Sequence, residues 1–268
     1  MTHGHSTLRL CVAAAAALFA SAPVRAGQPL ETETAYTLPQ GVFEVGTQSE
    51  FQTSNDGSEF AQPAVLEYGI RDNLELLIEP VLYTSINPEN GKDSTGIGDT
   101  EVTLSYRFFD ETESVPALAI AGEIKFPTAG NDQIGTGKTD YAGYAIASKR
   151  IGKFDLHANA GFTVPGSPHG VQLDTTFNYA AAVEYHANDK WDLVAEVYGN
   201  TSSAGENADT PTGGSGGENT LAPEVSNGET VGSIGARYHF SEHTNFTFAV
   251  SADNNHAWIF APGFTIKF

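Results

Sequence analysis

Fifteen ionisable side chains fall on the polar side of local apolar/polar alternations: Glu44, Glu75, Glu79, Asp99, Glu101, Arg107, Glu123, Lys125, Asp155, His157, Glu184, His186, Glu196, Arg237 and His239. Such groups along one face can line a water-filled path and select the charge that passes, because a low-dielectric wall focuses their field. They can equally pair across neighbouring strands and only brace a wall. Pairing about a turn centred on Thr112 sets Asp99 opposite Lys125 and Glu101 opposite Glu123, and pairing about Asp189 sets His186 opposite Asp192. Both readings stand on this pattern alone. Carboxylates outnumber lysine and arginine in the set, which predicts cation preference wherever the path is open.

Other chemistries find less support. Gly135-Thr-Gly-Lys-Thr139 imitates a phosphate loop, but the earlier glycine of that motif is replaced by Asp132 and no strand-to-helix switch follows. Gly96-Ile-Gly98 is a fragment of a dinucleotide fingerprint, and a strand pattern follows it where that site needs a helix. His239 and His243 lie in a strand and its turn rather than on one helical face, so no metal site is expected from them. Asp209, Glu218 and Glu224 offer oxygen ligands for a loosely held divalent cation, or simply a solvated rim. His157, His186, Asp155 and Asp192 supply pieces of a hydrolytic constellation without a matching nucleophile. The expectation is no catalytic residue, no metal, no cofactor and no enzyme activity.

The elements that position these groups repeat with period two, the signature of strands. Residues 98–109 alternate most cleanly, with Thr100, Val102, Leu104, Tyr106 and Phe108 opposite Asp99, Glu101, Thr103, Ser105 and Arg107. Residues 115–126 set Leu118, Ile120, Ile124 and Phe126 against Glu123 and Lys125, and residues 74–84 place Glu75, Glu79 and Tyr83 on the polar face. In residues 139–150 the outward face reads Ala142, Tyr144 and Ile146. The last strand carries Trp258, Phe260, Phe264, Ile266 and Phe268 on one face. Residues 27–40 are polar, hold two prolines and read as a short lead-in.

Twelve strands emerge, and their connections alternate in length: links near 72, 112, 152, 188 and 243 are short, and those near 54, 90, 131, 168, 214 and 255 are mostly long. Short turns at one end, long loops at the other and an even strand number are what an antiparallel transmembrane β-barrel requires. No apolar run after the amino-terminal stretch approaches a helical span, so a membrane protein of this sequence must be a closed barrel. Residues 1–26 read as a signal peptide, with Arg9, an apolar run over 10–20 and Val24-Arg25-Ala26 at the cleavage site. The domain is then 27–268, an all-β outer-membrane barrel with a long acidic Gly/Ser-rich extracellular loop over about 201–228. Without Arg9 and Arg25, 11 basic residues face 33 acidic ones, a net charge of about −22 that excludes a nucleic-acid partner. Cys11 is the single cysteine, so no disulfide holds the mature chain.

Pro29-Leu-Glu-Thr-Glu33 with Leu38-Pro-Gln-Gly41, Gly96-Ile-Gly-Asp-Thr100 running into Tyr106-Arg-Phe108, Lys125-Phe-Pro-Thr128, Gly135-Thr-Gly137, Asp140-Tyr141 and Asn159-Ala-Gly-Phe-Thr163 occur in order along most of the mature chain. The pattern resembles the outer-membrane family named for the putative meta-pathway of phenol degradation. The resemblance implies a barrel transporter in the bacterial outer membrane, surrounded by lipid, admitting small aromatic or otherwise hydrophobic solutes. The closing strand likewise resembles those of bacterial outer-membrane barrels, which implies that the barrel-assembly machinery reads Phe260, Phe264, Ile266 and Phe268. A structural or adhesive barrel presenting residues 201–228, and a lipid-modifying outer-membrane enzyme, are the alternatives.

Overall fold

A computed structural model describes Gln28 and residues 30–169, 173–203 and 228–268. The signal-peptide reading, residue 27 and most of the acidic loop reading (204–227) lie outside the described residues. Every regular element among them is a strand: β1 (Phe43–Gln48), β2 (Glu50–Ser54), β3 (Gly57–Arg71), β4 (Leu74–Pro88), β5 (Ser94–Gly96), β6 (Thr100–Phe109), β7 (Ala117–Phe126), β8 (Asp140–Ile151), β9 (Phe154–Val164), β10 (Thr176–Asn188), β11 (Trp191–Asn200), β12 (Glu229–Ser241), β13 (Thr244–Asp253) and β14 (Trp258–Lys267). β1 and β2 make one stave, since both pair with β3 and with β14. β5 and β6 make another, pairing with successive parts of β4.

Twelve staves therefore run antiparallel to their neighbours, and β14 closes the sheet on β1 with Val45 opposite Ile266. Closure leaves no edge, which lipid demands because each unpaired backbone group there costs several kcal/mol. The side chains invert the soluble pattern. Phe108, Ile120, Phe162, Leu193, Ile234, Phe240, Trp258 and Phe268 are exposed on the outer wall, while Glu123, Lys125, Asp155 and Glu184 are buried inside. Aromatic pairs such as Trp191 with Tyr238 and Phe154 with Tyr185 stand near the short-turn end, the position of a membrane-interface girdle.

Three details of the sequence reading are corrected. β6 pairs with β7 so that Glu101, not Asp99, faces Lys125, and Thr103 faces Glu123; the turn is centred one residue later, beside a bulge between Arg107 and Phe109. His186 does face Asp192. Tyr83 lies on the outer wall against Phe60, because a bulge at Gln62/Pro63 reverses the parity of β4 beyond Val81. In β8 the assignment is opposite to expectation: Tyr141 is exposed, while Tyr144 and Ile146 point inward and pack with Ala117, Ala119, Ala121, Ala35 and Tyr36. The inner wall is apolar there because an internal segment covers it.

That segment is the fourth correction. Residues 30–38, expected as a lead-in, lie inside the barrel with Leu30, Thr32, Ala35, Tyr36 and Leu38 buried. Leu30 packs on Val194, Ala249 and Ala261. The chain leaves the lumen between Leu38 and Gly41, passing so close to β3 that a Cβ on Gly69 would lie 2.1 Å from the Pro39 carbonyl oxygen. Glycine at 69 makes that exit possible.

Candidate functional site: a crossed lumen

A peptide inside a barrel must satisfy its backbone groups with wall side chains, and here it does so in sequence. The Arg237 guanidinium of β12 donates to the Gln28 carbonyl. The amides of Glu31 and Thr32 and the Thr32 hydroxyl donate to the Glu196 carboxylate of β11 at 2.9–3.2 Å. Asn159 of β9 both accepts from the Glu33 amide (2.8 Å) and donates to the Glu33 carbonyl (2.9 Å), imitating a strand partner. The Ala35 amide donates to Ser148 of β8 (2.8 Å), whose hydroxyl also meets His157 Nδ1 at 2.8 Å. The Leu38 amide donates to Glu75 (2.5 Å) and the Gln40 amide to Asp72 (2.9 Å). The segment thus crosses from the β11–β12 wall, past β9 and β8, to the short-turn rim at β3–β4.

Tyr36 fixes the crossing at the rim. Its hydroxyl donates to Glu111 (2.6 Å) in the turn between β6 and β7, where Glu111 also accepts from Lys149 Nζ (2.7 Å) and the Arg150 amide (2.9 Å). Burial alone pushes the Glu111 carboxyl up, but these donors and the Lys149 charge outweigh it and hold it below the usual range. The Tyr36 ring stands edge-on to His157, centroids 6.0 Å apart.

The remaining ionisable groups form three clusters. On β8 to β12, Arg150 pairs with Asp155, Asp155 accepts from His186 Nε2 (2.9 Å), His186 Nδ1 meets Asp192 (2.8 Å), Asp192 meets His239 (2.5 Å), and Glu184 meets Arg237 (3.1 Å). At the long-loop end Lys125, 1% exposed, lies between Asp140 (2.8 Å) and Asp99 (3.5 Å). The other oxygens of those two aspartates accept from the Gly166 and Ala129 amides. On β1 to β7 are carboxylates: Glu44 held by Lys267 (3.1 Å), Glu123 accepting from Thr103, and Glu79 and Glu101 facing open space. Arg107 sits at the rim, bound to Asp110 (2.9 Å) and the Asp72 carbonyl.

That open space is a cavity of about 70 Å³ between Gln28, Leu30 and Glu31 of the internal segment and the wall of β1 to β6. Its lining mixes apolar Pro63, Val65 and Val81 with the carboxylates Glu31, Glu50, Glu79 and Glu101. It is large enough for a few water molecules. All fifteen side chains proposed from the sequence therefore lie on the inner wall or its rim. Sequence reasoning missed Ser148, Asn159, Glu111 and Asp140. Ser148, Asn159 and Asp140 share the inward parity of the clusters, yet nothing in the chain advertises that Ser148 and Asn159 bind residues 30–38.

A family model described as "Putative MetA-pathway of phenol degradation" matches residues 26–255. Among solved structures, an outer membrane channel from Pseudomonas putida F1 is similar at 15% identity and a TM-score of 0.63, over 87% of this chain and 98% of its own. The KdgM porin, solved in complex with disordered oligogalacturonate, is similar at 11% identity and a TM-score of 0.55, over 84% of this chain and 99% of its own. At such identities both likenesses speak for the fold, an outer-membrane barrel. No curated protein sequence matches this chain.

Proposed function

The chain belongs to the outer-membrane family described as the putative MetA-pathway of phenol degradation, and on that premise we propose that it is a passive channel for small molecules whose lumen is crossed by its own residues 30–38. The observation that carries this reading is the cavity beside the crossing segment, space between the segment and the wall that the described residues leave unfilled. Its apolar residues would flank a small hydrophobic or aromatic solute once the segment yields, in keeping with the family's description, and Glu50, Glu79 and Glu101 favour solutes and ions of positive charge. Passage needs no cofactor and no covalent step; the segment sets the width, and the wall sets the charge.

The enzyme reading has less support. Among the described residues Ser148 lies beside His157 as an activated hydroxyl would, but it is buried and already accepts from the Ala35 amide. The adhesive reading rested on residues 201–228, of which most lie outside the described residues.

Uptake into liposomes carrying the refolded protein tests the proposal. Phenolic solutes of small size should equilibrate faster than across protein-free vesicles, and bulky sugars should not. Equal permeability to all solutes with and without the protein would sink the channel reading.

A further inference from the structure

The wall cluster on β10 to β12 is more than a set of ion pairs. One atom each from Glu184, His186 and Asp192 lie within 4.8 Å of one another, with His186 Nδ1 2.8 Å from Asp192 Oδ1 and 3.8 Å from Glu184 Oε1. Ligand atoms 2.0–2.2 Å from a tetrahedral zinc ion stand roughly 3.4 Å apart, so these separations bracket the spacing an ion requires. We propose that Glu184, His186 and Asp192 form a binding site for a divalent first-row transition-metal ion on the inner wall of the barrel.

The surroundings match what such a site needs. A metal-bound imidazole is oriented by a partner on its other nitrogen, commonly a carboxylate. His186 has that partner: Nε2 meets Asp155 Oδ2 at 2.9 Å, leaving Nδ1 directed at Asp192 and Glu184. Asp155 is itself fixed by Arg150, and the second oxygen of Asp192 is fixed by His239 Nε2 at 2.5 Å. Each of His186 and Asp192 is thus held from behind.

Charge supports the same reading. Asp155, Glu184 and Asp192 carry three negative charges against the two of Arg150 and Arg237, and a cation seated at His186 Nδ1 takes the place of the proton that nitrogen shares with Asp192. One nitrogen and two carboxylate oxygens favour zinc-like ions over Mg²⁺ or Ca²⁺, which prefer all-oxygen sets. Three protein ligands leave a fourth position for water. His186 keeps 19% of its side-chain exposure, which gives an ion a way in.

Calorimetric titration of the refolded, detergent-solubilised protein with ZnCl₂ at neutral pH tests this without reference to transport. The expected result is one Zn²⁺ bound per chain, undiminished by excess Mg²⁺. Glu184→Gln and His186→Ala should each weaken binding at least about tenfold, and Asp155→Asn, which touches no ion, should weaken it by about 10-fold through loss of orientation. Heat-shifted electrophoretic mobility shows whether each variant is folded, and Asp155→Asn with Glu184→Gln carry the test if His186→Ala does not fold. No saturable binding to the folded wild type would overturn the proposal. So would affinity unchanged in the folded variants, which would place the ion at the exposed His243 or His256.

Discussion

The backbone amide of Ala35 donates to the hydroxyl of Ser148, 2.8 Å away and 113 positions later in the chain. The same hydroxyl lies 2.8 Å from His157 Nδ1, so one wall serine joins the internal segment to the ionisable lining. With Asn159, which grips Glu33 by both its amide and its carbonyl, it holds the middle of the crossing.

Removing those grips should open the channel. A typical internal hydrogen bond contributes about 1 kcal/mol net, so Ser148→Ala with Asn159→Ala should loosen the segment by roughly 2–3 kcal/mol while the twelve staves stay paired. Single-channel recording should then show larger and more frequent openings than the wild type. Traces indistinguishable from wild type would mean that residues 30–38 do not limit passage.

Gly69→Ala should give a similar release without touching a polar group. The new Cβ would meet the Pro39 oxygen at 2.1 Å and the Leu38 oxygen at 2.7 Å, both backbone atoms, so the exit of the segment has to shift. Increased current noise is expected, and a quiet wild-type trace in a folded Gly69→Ala barrel would contradict the account of this exit.

The triad at the long-loop end should matter for stability. Lys125→Met leaves Asp99 and Asp140 facing each other without their shared cation, and breaking a buried pair by removing one partner costs about 3–5 kcal/mol. Denaturant unfolding of the variant in micelles reads that loss. Adding Asp99→Asn and Asp140→Asn to Lys125→Met should recover much of it, and no recovery would mean that packing of the lysine stem, not charge, is what the site needs.

The Glu111 anchor should weaken in acid. Its folded carboxyl is depressed, chiefly because the donors Lys149 and Tyr36 overcome the effect of burial, so its contribution is present above the ordinary value of 4.5 and is lost as pH falls through the lower folded value. Channel openings should therefore become more frequent as the pH falls below 4.5. In Glu111→Gln the openings should already be frequent at neutral pH and gain less on acidification; an identical acid response in the two proteins would assign the effect to another group.

Much of the barrel was legible because period two is a local property: Phe162 and Asn159, or Leu193 and Asp192, declare their faces within a few residues. Register was less so. The turn between β6 and β7 is centred one residue later than the alternation suggests, which sets Glu101 rather than Asp99 opposite Lys125, and the Gln62/Pro63 bulge turns Tyr83 outward; neither leaves a mark in the alternation. β8 was misread for a different reason. Tyr144 and Ile146 looked lipid-facing by hydrophobicity, but Tyr36 and Ala35 give them an apolar partner on the inside. Residues 30–38 themselves have no periodicity to find, since Glu196, Asn159 and Ser148 bind mainly their backbone, which is the same for every sequence.

The most direct test of the proposed path is the reversal potential of the refolded protein in a planar bilayer under a salt gradient. Carboxylates Glu50, Glu79 and Glu101 around the open part of the lumen predict a potential of the sign set by cations, reduced toward zero by Glu79→Gln with Glu101→Gln. A potential of anion-selective sign, or cation selectivity untouched by the double variant, would contradict the assignment of this cavity as the route.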